Sequence, residues 1–153
     1  MGTIESAERT STPHRLRIFI SYRREDASDA AGRLYDRLEA EFGESVFMDV
    51  DNIPPGVDFV EAIDRAVGDC DVLIAVIGKK WLSARDAARR RCRLDLAEDY
   101  VRLELEAALR RPGILIAPFV LEGAHMPGSE PPQWWCSVLH GNPRRAFSSG
   151  RPC

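Results

Sequence analysis

The 153 residues fall within the usual size of one domain, and an apolar share of 44% is enough to build a single buried core. Charged residues of both signs make up 29% of the chain and nearly cancel to a formal −3, which argues against a polyanion-binding surface and so against a nucleic-acid partner. Cys70, Cys92, Cys136 and Cys153 form no C-x-x-C pair, and no histidine stands where it would complete a zinc site, so reduced thiols and no metal are expected. Neither an apolar signal core at the N-terminus nor a stretch of membrane-spanning length is present, which makes the cytoplasm the expected location and excludes a membrane partner.

Residues 1–14, rich in Ser, Thr and Glu with Pro13, read as a flexible leader. The run LRIFISY at 16–22 is apolar and β-branched, as a strand buried on both faces should be. Asp26 stands where an N-cap would precede a helix, and Ala30, Leu34, Leu38 and Phe42 recur every four residues up to Gly43. A short second strand is expected at 46–50. Asp51, Asn52, Ile53, Pro54, Pro55 and Gly56 then break regular structure, because the prolines remove donors and the glycine tolerates unusual dihedrals.

Phe59, Ile63 and Val67 predict a second helix, and DVLIAVI at 71–77 is the most apolar stretch of the chain, which predicts a central third strand. An arginine-heavy polar connection over 83–98 is long enough to be mobile, and Val101, Leu105, Ala108 and Leu109 mark a third helix. GILIAPFV at 113–120 predicts a fourth strand whose Pro118 costs a ladder donor and so favours an edge or a bulge. Alternating strands and helices give an α/β fold, a doubly wound parallel sheet with helices on both faces. From Met126 onward prolines interrupt the pattern, and Trp134, Trp135, Val138 and Leu139 offer only one apolar helical turn.

Ligands of open parallel sheets bind beyond the carboxyl ends of the strands, which directs attention to the loops at 21–26, 51–56 and 78–81. No G-x-x-x-x-G-K-[ST] or G-x-G-x-x-G run occurs, so nucleotide triphosphatases and dinucleotide dehydrogenases drop out. The first loop lacks the glycine of a flavodoxin cradle, and a phosphoacceptor receiver would close its third strand with an aspartate where this chain has Ile77 and Gly78. Tyr100 and Glu104 are four apart and share one side of the third helix. An aromatic ring beside a carboxylate suits glycosidic cleavage, whose oxocarbenium-like transition state a carboxylate stabilises. A solvated carboxylate on an amphipathic helix would show the same spacing.

Four stretches in order resemble the TIR family: Phe19, Ile20, Ser21, Tyr22, Arg23, Arg24, Glu25 and Asp26 its opening motif, 46–56 its second strand and BB loop, 77–82 the end of its third strand, and 99–109 the helix that follows. The resemblance covers about 16–127 and implies a flavodoxin-like sheet in the order 2-1-3-4-5. It divides the chain into a leader at 1–14, a TIR domain at 15–127 and an atypical C-terminal segment at 128–153, in which the last strand and helix are incomplete or replaced and only Arg145, Ala146 and Phe147 suggest a strand.

The resemblance also implies cleavage of NAD, as substrate rather than cofactor, with Glu104 as the catalytic glutamate and Tyr100 where many active members carry tryptophan. Phe19, Ser21, Arg23 and Trp81 are the remaining candidates for the substrate site, although Phe19 and Trp81 fit core packing equally well. Glu106 points about 200° away from Glu104 around the helix, so the two cannot face one pocket. Asp49 is expected to support the first loop or the strand end. The loop from Asp51 to Gly56 is implied as a self-association contact, with a separate sensor or regulatory protein as a further partner. Two functions are therefore open: an NAD glycohydrolase activated by self-assembly in anti-phage defence signalling, and a non-enzymatic adaptor acting through TIR to TIR contacts. A nucleoside-processing transferase is a third, weaker fit.

Overall fold

The computed structural model describes residues 15–48, 58–88 and 91–126. The leader, Asp49, the 51–56 loop and everything from Pro127 onward, including Trp134, Trp135 and the strand expected at Arg145 to Phe147, lie outside the described residues.

Four strands form one parallel sheet: β1 (Ile18–Tyr22), β2 (Val46–Met48), β3 (Val72–Ile77) and β4 (Leu115–Val120), in the order β2-β1-β3-β4. This is the 2-1-3-4 part of the expected order, and a fifth strand would fall outside the described residues. β1 and β3 are central because their side chains are apolar on both faces; Ile18, Phe19 and Ile20 are all buried. Among the described residues β4 is the edge strand opposite β2, in keeping with Pro118 within it, and it leaves Leu115, Phe119 and Val120 exposed.

The pleat sorts the core into two layers. On one face Ile20 and Val76 pack with Ala27, Ala31, Leu34 and Leu38 of helix α1 (Arg24–Phe42). On the other, Phe19, Leu73 and Ile77 pack with Ile63 and Val67 of α2 (Phe59–Gly68) and with Val101, Leu105 and Ala108 of α3 (Tyr100–Arg110). Each fully buried Leu, Ile or Phe of these layers contributes about 1.5–3 kcal/mol. The sheet is thus covered on both faces, as the alternation of elements predicted.

The helix termini differ from the sequence reading at one point. Asp26 does not cap α1: the helix begins two residues earlier, after Arg23, which has an extended backbone and supplies no side-chain cap. The Asp26 carboxylate instead accepts from the backbone N–H of Lys80 in the loop after β3, at 2.9 Å. That tertiary bond outcompetes a local cap, and the helix can start without one because its apolar face is held by the sheet. α2 and α3 do carry caps. Asp58 accepts from the amides of Val60 and Glu61, and Asp99 accepts from that of Arg102.

The connection before α3 also has more structure than its polarity suggested. A bridge joins Arg85 to Cys92, a 3₁₀ turn spans Arg93–Asp95, and Leu94 is 2% exposed, inserted into the α2 and α3 layer. The buried Leu94 ties the charged segment to the fold, and the bridge holds the segment back on itself. Among the described residues no helix is long and apolar enough to cross a membrane, and no group of three or more His, Cys, Asp or Glu could hold a metal ion.

Candidate functional site

β1 brings alternate residues to the face that α3 covers. Phe19 sits deepest, in the core; Ser21 follows near the carboxyl end, and Arg23 continues the alternation one step beyond the strand. Ser21 Oγ donates to Glu104 Oε2 at 2.6 Å, and both residues are buried, at 1% and 5% exposure. Glu104 is thus a carboxyl group drawn under the carboxyl ends of the central strands, not one extended into solvent. Ser21 and Glu104 are 83 residues apart, so only the fold brings them together.

Arg23 is equally buried and meets Asp99 with both terminal nitrogens, Nη1 to Oδ2 at 3.0 Å and Nη2 to Oδ1 at 3.2 Å. The pair is extended outward by Arg93, whose Nε lies 3.2 Å from Asp99 Oδ2 and whose Nη1 lies 2.8 Å from Glu25 Oε1. Two guanidinium groups and two carboxylates thereby form one chain of charge with no net excess. The Glu25 carboxyl is held below the usual carboxylate range, first by a hydrogen bond from its own backbone amide and then by Arg93, against the opposing effect of partial burial.

The remaining candidates divide by depth. Trp81, 1% exposed, is part of the core between β3 and α3, and Phe19 lies in the same cluster. Tyr100 is 51% exposed on the first turn of α3, one turn before Glu104. Glu106 is held apart by Arg102 Nε at 2.8 Å and Arg110 Nη2 at 2.9 Å, so it has its own partners away from Ser21. The structure therefore joins Ser21 with Glu104, sets Arg23 beside them, places Phe19 and Trp81 beneath, and leaves Tyr100 at the surface. The six loop residues from Asp51 to Gly56 lie outside the described residues.

Two buried side-chain donors, Arg23 Nε and Trp81 Nε1, have no hydrogen-bond partner among the described residues. Such groups are uncommon, since a buried donor without an acceptor costs about 1–3 kcal/mol. Both belong to residues that follow the two central strands.

Sequence reasoning did not single out Asp99 or Arg93. Asp99 carried one local signal, an aspartate placed just before the apolar repeat of α3, which is the position of an N-cap. Arg93 carried none, because its partners are Glu25, 68 residues earlier in the chain, and Asp99.

A parallel sheet with helices on both faces and a buried glutamate at the carboxyl ends of its strands defines a doubly wound α/β domain. The chain belongs to the TIR domain family, whose model matches residues 18–147. A search of curated proteins gives no match. Among solved structures, the TIR domains of the activated Roq1 resistosome directly recognizing the pathogen effector XopQ superpose with a TM-score of 0.51 at 20% sequence identity. The match covers 70% of this chain and 58% of that one, and at this identity it shows the shared fold alone.

Proposed function

We propose that the chain is an NAD glycohydrolase of the TIR type, acting in the cytoplasm. The observation that carries this reading is the buried Glu104 carboxyl, held by Ser21 at the carboxyl end of the sheet. In the reaction the bond between the nicotinamide nitrogen and the ribose C1′ breaks, and its electron pair leaves with neutral nicotinamide. A ribosyl cation remains, whose charge the Glu104 carboxylate offsets. Water then attacks C1′ and loses a proton to give ADP-ribose, or an adenine nitrogen closes a cyclic isomer.

Ser21 holds the Glu104 carboxyl in place, Tyr100 offers a ring for stacking on a flat base, Phe19 and Trp81 support the site from below, and Arg23 stands at its edge. Assembly through TIR to TIR contacts, including the 51–56 loop, is part of the proposal, with a separate sensor as trigger and anti-phage defence as setting. The similar TIR domains above are those of a resistosome.

The test is to incubate the chain with NAD at high concentration or under crowding and follow free nicotinamide, alongside Glu104→Ala. Release by the parent and loss in the variant is the expected result. Release that survives the substitution removes Glu104 from the mechanism, and no release in any assembled state turns the reading towards a non-enzymatic adaptor.

A further inference from the structure

We propose that Arg23 and Asp99 are a positioning pair that sets the height and rotation of α3, and with them the location of the Glu104 carboxyl. The inference deepens the NAD-cleaving reading and rests on it. Both side chains are buried, at 2% and 1% exposure. Removing two charges from water costs several kcal/mol for each, and a well-packed apolar pair of similar size would be as stable or more so. Stability is thus a poor reason for this pair, whereas fixed direction is something an apolar contact cannot give.

The spacing of the contacts is what makes the pair a clamp. Ser21 and Arg23 are two residues apart on extended backbone, about 6.6 Å. Their partners are Asp99, the N-cap of α3, and Glu104, in its second turn, five residues apart and separated by about 7.5 Å at the helical rise. Arg23, just beyond the strand, meets Asp99, just before the helix, while Ser21 within the strand meets Glu104 within the helix, so the two elements run in opposite senses and touch at two points. The apolar packing of Val101, Leu105 and Ala108 holds α3 on the sheet, and two polar points fix its register there more narrowly than one would. A shift of one residue along α3 would move the carboxyl about 1.5 Å and rotate it by about 100°.

Asp99 is built for that task. Its two oxygens take both terminal nitrogens of Arg23, Nε of Arg93 and the backbone amide of Arg102, so it caps the helix and anchors it at once. Because the Arg23 side chain is buried and one N–H of each terminal nitrogen is given to Asp99, Arg23 acts on the reaction through Asp99 and α3 and not as the main contact to substrate.

The test uses the full chain under conditions in which the parent releases nicotinamide, with Arg23→Gln, Arg23→Lys and the pair Arg23→Gln with Asp99→Asn. Asp99 keeps Arg93 in the single variants, and the double variant removes both buried charges while Arg93 keeps Glu25, so folding is protected. Arg23→Gln should lower kcat by between about tenfold and about a hundredfold, the scale of a misplacement near 1 Å, with KM changed by less than about twofold. Arg23→Lys, which keeps the charge without the two-pronged geometry, should fall between. Adding Asp99→Asn should cost little more, because the clamp is already open. A rise in KM at unchanged kcat would make Arg23 a substrate contact, and a lower melting temperature with unchanged kcat and KM would make the pair merely structural; either overturns the proposal.

A second readout needs no turnover. In protein labelled at the glutamate side-chain carboxyl carbon, the Glu104 resonance is the one lost in Glu104→Gln. It should move in Arg23→Gln, and a resonance that stays in place overturns the proposal. If the parent releases no nicotinamide, the NAD reading fails and this resonance alone decides whether the pair positions Glu104.

Discussion

The carboxyl of Asp26 lies against Gly78 so closely that a single carbon added to the glycine would overlap it. The contact ties the first turn of α1 to the loop after β3, and the same carboxyl accepts from Lys80 N–H. Gly78→Ala should therefore swing Asp26 aside and lose that bond, at a cost of about 1 kcal/mol in urea denaturation. In an Asp26→Ala background the same substitution has nothing to displace. It should there be neutral or stabilising by about 0.5 kcal/mol, because alanine restricts the unfolded chain. Equal losses in both backgrounds would show that the glycine is needed for something other than room for Asp26.

The two carboxylates of α3 should separate by function. Ser21→Ala removes the Ser21 hydrogen bond to Glu104 and should slow nicotinamide release by about tenfold, while Glu104→Gln should slow it by roughly 10²–10³-fold. Glu106→Gln weakens the contacts with Arg102 and Arg110 and should lower stability by on the order of 1 kcal/mol without changing turnover per folded molecule. Loss of turnover on changing Glu106 would reverse the assignment.

A third expectation concerns the end of α2. The Arg111 guanidinium donates to the carbonyls of Asp64 and Gly68 and to the Asp64 carboxylate, and it lies where a side chain on Gly68 would be. It satisfies the Gly68 carbonyl, one of the last four that the helix cannot pair itself, and complements the helix dipole. Arg111→Ala should cost about 0.5–1 kcal/mol and raise hydrogen exchange in the last turn of α2, with little change in α1. Arg111→Lys should recover only part of the protection, since an ammonium cannot span these acceptors.

What the sequence made legible follows from the range of the interactions involved. Repeats of apolar residues are local, so β1, β3 and the helices with Ile63 and Val67, or Leu105 and Ala108, could be found and layered. The carboxylate at Glu104 was reachable because the stretch from Asp99 to Leu109 resembles a family motif. Asp26 was misread for the opposite reason: a capping pattern is local, but its actual partner, Lys80, lies 54 residues away. The clamp of Arg23 on Asp99 spans 76 residues, and nothing in a string of arginines and aspartates says which charge meets which. Leu94 stayed hidden because Leu94 and Leu96, set among charges, make too short a pattern to mark an element.

Cys70 gives a prediction in pH. Its thiol is 5% exposed, donates to the Ala66 carbonyl at 3.1 Å, and burial pushes its pKa from 9.0 up to about 11. The folded state therefore holds this proton more tightly than the unfolded chain does. The resulting contribution is complete below about pH 9 and is lost progressively as pH rises towards about 11. Urea midpoints measured at pH 8 and pH 10.5 should fall further for the parent than for Cys70→Ala, and the difference between the two falls isolates Cys70 from other groups that titrate in the same range. The alanine variant should begin less stable at pH 8, since it leaves a small cavity beside Val67 and Leu73. The same burial predicts that Cys70 resists alkylation at pH 8 in the folded chain, while the partly exposed Cys92 reacts. Equal pH dependence in parent and variant, together with rapid labelling of Cys70, would mean that the thiol is open to water.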